Sequence, residues 1–127
     1  MAALSDTYET DVLEWLFTNT AVTRPTAWYI GLFTTDPTDA GTGTEVSGGS
    51  YVREAATFSV TGDTATTTAA IEWPVATASW GTITHIGVYD ALSGGNLIAH
   101  AALTASKTID TDDVFRIPAG ELDITID

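Results

Sequence analysis

The sequence predicts a mainly β fold, an antiparallel β-sandwich or jelly roll with one N-terminal α-helix. Three observations carry this. The chain is rich in Thr, Ala and Gly with only 17% charged residues, a composition that suits strands and tight turns better than helices. Apolar residues alternate in short runs at roughly 8 to 12-residue spacing, separated by Gly and Pro turns, as sandwiches do. Only one stretch, at the front, carries the helical period instead.

That stretch is Leu4 to Thr18, where Leu4, Tyr8, Val12, Trp15 and Leu16 fall on one stripe. Ser5 or Thr7 is placed to cap it, and Asp6, Glu9 and Asp11 put negative charge where the helix dipole favours it. Asn19 and then Pro25 close the element. The stripe reads as an amphipathic helix covering an edge or face of a sheet, while Leu13 and Phe17 widen the apolar face toward a second contact surface.

After Pro25 the period becomes two. Ala27 to Phe33 is apolar on both faces, the pattern of an interior strand. The polar stretch from Thr34 to Ser50, apolar only at Ala40 and Val46, reads as a long surface connection, and loops of that length tend to be functional or mobile. Six further strands follow: Tyr51 to Val60, Thr64 to Trp73, Thr82 to Tyr89, Asn96 to Leu103, Asp113 to Ile117 and Glu121 to Ile126. In the last, Leu122, Ile124 and Ile126 face one way and Glu121, Asp123, Thr125 and Asp127 the other, so one face is buried. No repeat or linker interrupts residues 1–127, which read as one domain with the helix at about 4–18 and the sandwich at about 27–127.

The charge excludes several function classes. Four Lys and Arg against 17 Asp and Glu give a net charge of −13 over 127 residues. A nucleic-acid partner needs clustered cations to displace counterions, and Arg24, Arg53, Lys107 and Arg116 are scattered. The longest apolar run is too short to cross a membrane as a helix, and the acidic opening residues read as no secretory signal. Without cysteine there is no disulfide, thiolate metal site or thiol nucleophile.

Candidate chemistry is sparse. His85 and His100 lie in strands and read as hydrogen-bonded structural residues, with His85 sharing a face with Ile83, Gly87 and Tyr89. No G-x-S-x-G elbow accompanies them, and Gly41-Thr42-Gly43 lacks the Lys and following helix of a phosphate loop. The acidic groups Asp110, Asp112, Asp113 and Asp36, Asp39 lack calcium-loop spacing and read as solvated loops. Trp28, Trp73 and Trp80 with Tyr51 and Tyr89 read as core, a sugar-binding platform being the alternative. The expectation is therefore no catalytic residue, no cofactor and no metal.

Two stretches resemble a family of small virion proteins of tailed bacteriophages: WYIGLFTTDPTDAGTGTEVSGGSYVREAATFS (Trp28 to Ser59) and WGTITHIGVYDALSGGNLIAHAALTASKTI (Trp80 to Ile109), followed by IPAGELDITID. The family pattern commonly has Tyr-Ala-Arg-Gln where this chain has Tyr51-Val52-Arg53-Glu54. Members carry labels from tail fibre and minor structural protein to capsid cement. The resemblance implies a non-enzymatic virion component made in the host cytoplasm. Its first form is a cement or decoration protein on the capsid surface, binding the major capsid protein between capsomers as a homo-oligomer, a trimer favoured. Its alternative is a tail or head-fibre component that binds a host glycan. On the cement reading Glu9, Asp11 and Glu14 of the helix, and Asp36, Asp39 and Glu45 of the long loop, are the residues set to touch the shell. Buried tryptophans favour cement, and an exposed tryptophan patch favours the glycan.

Overall fold

The computed structural model describes residues 3–125. It contains one helix, α1 (Asp6–Phe17), and ten strands: β1 (Ala3–Leu4), β2 (Trp28–Phe33), β3 (Glu54–Ala56), β4 (Phe58–Thr61), β5 (Thr64–Thr67), β6 (Ile71–Glu72), β7 (Gly81–Tyr89), β8 (Leu97–Ile109), β9 (Arg116–Ile117) and β10 (Asp123–Thr125). They form a five-stranded sheet in the order β1-β8-β7-β2-β3, a three-stranded sheet β10-β5-β4 and a two-stranded sheet β6-β9, with every pair antiparallel. The mainly β sandwich with an N-terminal helix is the fold that the alternation predicts.

The five-stranded sheet has two apolar faces, as the unbroken run in β2 requires. Ile30, Leu32, Ile86, Val88 and Ala101 point into the main core, where they meet Ile71, Trp73, Phe115, Ile117 and Leu122 from the smaller sheets and their connections. Trp73 packs edge-on against Phe115 at 5.3 Å between ring centroids. On the other face Phe33, Tyr89 and Leu97 form a second cluster, with the Phe33 and Tyr89 rings stacked at 6.2 Å. Gly87 makes room for them: a Cβ there would lie 2.9 Å from Leu97 and 3.0 Å from Phe33.

Several elements depart from the sequence expectation, each for an identifiable reason. The run Tyr51 to Val60 breaks at Thr57 because the chain changes sheets there, β3 pairing with β2 and β4 with β5. Such corners let one continuous β-prone segment serve two layers. The run Thr64 to Trp73 splits for the same reason, into β5 and β6. Conversely, residues 104–109 read as the start of a connection, yet β8 continues through them, pairing Lys107, Thr108 and Ile109 with Ile83, Thr82 and Gly81. The exposed side chains of residues 104–108 gave no sign that the strand runs on past the irregularity opposite Ile83 and His85 to re-pair at Lys107. The last two strands are shorter than predicted, and Ile126 and Asp127 lie outside the described residues; Leu122 is buried and Ile124 half-buried, as the alternation requires.

A bulge corrects the placement of His85. The register of β7 on β8 shifts between Ile83 and His85, so the alternation restarts there. Ile83 therefore belongs to the main core with Ile86 and Val88, while His85 pairs across β2 with Phe33 of the opposite cluster. His85 bonds its neighbour, Nδ1 lying 2.8 Å from Thr84 Oγ1.

The helix also differs. Leu4 belongs to β1, paired with Ala99, and the helix starts only after Ser5, whose hydroxyl accepts from the Tyr8 N–H and donates to the Leu97 carbonyl. Thr18 closes α1, its N–H and hydroxyl both donating to the Glu14 carbonyl. No residue of α1 is buried. Of the stripe that predicted a covering helix, Tyr8 and Val12 are half-buried while Trp15 and Leu16 are exposed, and with Leu13 and Phe17, read as a second contact surface, they are 57–77% exposed.

Leu32 is fully buried and Leu13 is 58% exposed, so the same truncation separates core from surface. Leu32→Ala should cost about 2–5 kcal/mol in urea unfolding, whereas Leu13→Ala should stay within about 0.5 kcal/mol.

Candidate functional site

The long segment between β2 and β3 is tied back onto the five-stranded sheet at several points. Beyond Ile30, β2 loses β3 as a partner, and the loop takes its place: Val46 N–H donates to the Leu32 carbonyl, Thr34 N–H donates to the Thr44 carbonyl, and Phe33 bridges Glu45. Pro37 and Val46 are buried. The loop does run over the surface, with all of residues 34–50 but Pro37 and Val46 exposed or half-exposed, and it is pinned there because it satisfies edge groups that would otherwise lack partners. Its turn is tight at Gly43, where a Cβ would sit 2.7 Å from the backbone of Asp36 and Pro37.

Glu45 and Arg53 lock this arrangement. The guanidinium donates from Nε and Nη2 to both Glu45 oxygens, at 2.9 and 2.8 Å, and from Nη1 to the carbonyls of Ala91 and Gly94. It lies 3.6 Å above the Tyr89 ring. Glu45 also accepts from the Tyr51 hydroxyl, which in turn accepts from the Leu32 N–H. Gly31 makes this possible, since a Cβ there would lie 2.8 Å from Glu45 Oε2. Burial works against the charge of Arg53, but the hydrogen bonds and charge of Glu45 outweigh it and hold its pKa above the ordinary value. Burial and then the bond to Glu45 push the Tyr51 phenol strongly upward.

A second polar group holds α1. His100 Nε2 lies 2.7 Å from Asp39 Oδ1, and the Asp39 carbonyl accepts from the Asp6 N–H at the start of the helix. Tyr8 donates to Asp90, which also accepts from the Asn96 N–H across the β7–β8 turn. Burial first, then the hydrogen bond and charge of Asp90, push the Tyr8 pKa up to about 12.

The six residues set out for shell contact therefore fall in different settings. Glu9 is exposed, and Asp11 and Glu14 are half-exposed along α1. Asp36 accepts from the Thr38 N–H in a local turn, Asp39 faces His100, and Glu45 is engaged by Arg53 and Tyr51. Asp6, Glu9 and Asp39 bring carboxylate oxygens within 4.8 Å of one another on the surface. Trp73 and Trp80 are buried and Trp28 half-buried, so these three rings form no exposed platform. Trp80 instead donates its indole N–H to the Gly49 carbonyl and packs edge-on against Tyr51.

What the sequence did not single out is a trough between the five-stranded and three-stranded sheets, about 660 Å³ in volume. Leu4, Trp28, Phe58, Val60 and Ile124 line it, with Arg24 and Asp63 among its polar residues. Its signal was hidden because the walls come from six separated segments. A shallower groove of about 350 Å³ runs between α1 and residues 22–25. Among the described residues, neither histidine bonds a Ser, Thr or Tyr hydroxyl other than His85 with adjacent Thr84, and no base-and-nucleophile pair is oriented by a third group.

A family model described as podophage GP4 fiber I protein gp80 matches residues 3–125. No curated protein matches the chain. The chain belongs to that family, which is one of phage structural proteins and not of enzymes.

Arg53 has one partner arrangement that satisfies it, so Arg53→Ala should destabilise by about 3–5 kcal/mol by leaving Glu45 half-buried and unpaired. Arg53→Lys should recover little of this because an ammonium cannot span both carboxylate oxygens and both carbonyls; chemical denaturation of the three proteins reads both outcomes. For Tyr8 the folded pKa is raised, so the protonated form is what the fold favours. Its contribution is full below the ordinary value of 10.0 and falls as pH rises through about 12. The stability difference between wild type and Tyr8→Phe should be constant at neutral pH and shrink over that alkaline window, followed by urea unfolding at each pH.

Proposed function

Because the chain belongs to a family of phage fibre proteins, we propose that it is a non-enzymatic structural subunit of a tailed-phage fibre, acting as a homo-oligomer, with a trimer favoured. The match over residues 3–125 carries this reading. The geometry is in keeping with it. Both strong polar groups, Arg53 with Glu45 and His100 with Asp39, hold backbone segments in place. The apolar surface left over is concentrated on the second half of α1 and in the trough between the sheets. Surfaces of that kind suit association.

Glycan recognition by the fibre has little support from Trp28, Trp73 and Trp80, since two of them are interior. That same observation favours the second reading, a capsid cement protein seated on the major capsid protein. A cement subunit needs contact area and no exposed aromatic platform, and it stabilises the shell by binding only its assembled form.

Copy number separates the two. Quantitative mass spectrometry of purified virions should find a small multiple of three copies per particle relative to the major capsid protein, with antibody labelling at the tail. A ratio near one copy per capsid subunit, with label over the head, would replace the fibre reading with the cement reading.

A further inference from the structure

The second half of α1 is an apolar surface that the rest of the chain does not cover. Leu13, Leu16 and Phe17 stand at i, i+3 and i+4, one face of the helix. They are 58%, 57% and 77% exposed, and Trp15 beside them is 70% exposed. An aromatic side chain carries about 150–250 Å², so with the two leucines this tip presents on the order of 500 Å². That is at the upper end of what a monomer leaves uncovered. Matched by an equal area on a partner, it reaches the roughly 1,000 Å² of total surface that a specific contact needs.

The charge around the tip is of one sign. The helix carries four acids, Asp6, Glu9, Asp11 and Glu14, and no basic residue. Asp6 and Glu9 lie seven residues before Leu13 and Leu16, close to two full turns, and so continue their stripe. Glu14 follows Leu13 at the tip. With no cation in the last turn, the negative end of the helix dipole adds to the field there. Arg24 lies on the other flank, in the groove that it shares with Asp11 and Trp15.

That field selects the cover. It repels nucleic acid and anionic lipid headgroups. A second copy fits no better. Two α1 stripes laid parallel bring acid against acid. Laid antiparallel, they press Asp6 and Glu9 onto the other copy's apolar tip, where a carboxylate loses water and gains no partner. The chain offers no cationic seat elsewhere, for each of its four cations is compromised. Arg53 is taken by Glu45, and Arg24 lines the trough between the sheets together with Asp63. Lys107 and Arg116 flank a groove of about 230 Å³ that also carries Glu121, and a single benzene-sized ring already fills about 150 Å³.

We propose that the tip of α1 attaches this subunit to a different protein of the virion, one that presents an apolar cleft rimmed by lysine and arginine. Leu13, Leu16 and Phe17 enter the cleft as a helix enters a groove, and Glu9 and Glu14 meet the cations at its rim. The other end of α1 is held by Tyr8 on Asp90 and by the Asp6 N–H on the Asp39 carbonyl. The helix is therefore a fixed arm, and docking it costs little further ordering. The inference rests on the reading of the chain as a virion structural subunit and names the surface by which that subunit is held.

The test is made in the particle. Virions carrying Phe17→p-benzoylphenylalanine are purified and irradiated, and the linked peptides are identified by mass spectrometry. Phe17 is 77% exposed, so the photoreactive side chain replaces it without disturbing the core. The expected link is to another virion protein, in a segment with more lysine and arginine than aspartate and glutamate. A link to a second copy of this chain, a link into a neutral or acidic segment, or no link from a chain that is present in the particle would each overturn the proposal. Charge is read separately. Glu9→Lys combined with Glu14→Lys keeps the apolar face and should lower the copies per virion about tenfold; an unchanged copy number would count against the basic rim and overturn the proposal. Absence of the wild-type chain from virions would refute the structural-subunit reading and the proposal with it, so the two failures are told apart.

Discussion

One guanidinium organises the back of the five-stranded sheet. Arg53 is the cation around which an otherwise acidic chain closes, and each of its partners belongs to a different segment: Glu45 to the long loop, Ala91 and Gly94 to the turn between β7 and β8, Tyr89 to β7 itself. Through Glu45 and Tyr51 the same group reaches the Leu32 N–H and so the part of β2 that β3 leaves without a partner. Desolvation offsets much of what such a pair gains in Coulomb energy. Its larger effect is selective, since a planar group with fixed donors accepts only one placement of loop, turn and ring. With the loop placed, Asp39 is carried to His100 and to the first N–H of α1.

How much of this was legible in the sequence depended on whether the signal was local. The cap at Ser5, the two-faced strand at β2 and the long strand at β7 are written in adjacent residues, and they were read closely. The burial of Trp73 and Trp80 followed from the size of a small sandwich, where large rings serve the interior. What escaped is non-local. Glu45 read as an exposed acid because nothing nearby in sequence says that Arg53 and a missing Cβ at Gly31 await it. Periodicity could not locate the change of sheet at Thr57 or the bulge before His85, since both are set by partners tens of residues away. The helix misled in the other direction: its stripe is amphipathic, and amphipathicity states that a face wants cover without stating whose.

For a phage structural protein the absence of an oriented catalytic group among the described residues is less informative than where the polar groups went. Arg53 with Ala91 and Gly94, Tyr8 with Asp90, and Asp39 with His100 all join segments distant in the chain. With no disulfide to bind the loops, these charge-assisted contacts do the cross-linking, and the acidic remainder faces solvent, where it keeps free copies apart until close-range contact prevails.

The register of β1 sets a timetable. Ala3 pairs with His100 and Leu4 with Ala99, so the start of the chain has nowhere to bind until about a hundred residues have been made. Loop closure over that span is the most distant in the fold, and closures of this kind follow local ones. The helix and its apolar tip therefore acquire a fixed direction only after β7 and β8 have paired. A nascent chain carries the tip unaimed, and only a finished subunit presents it.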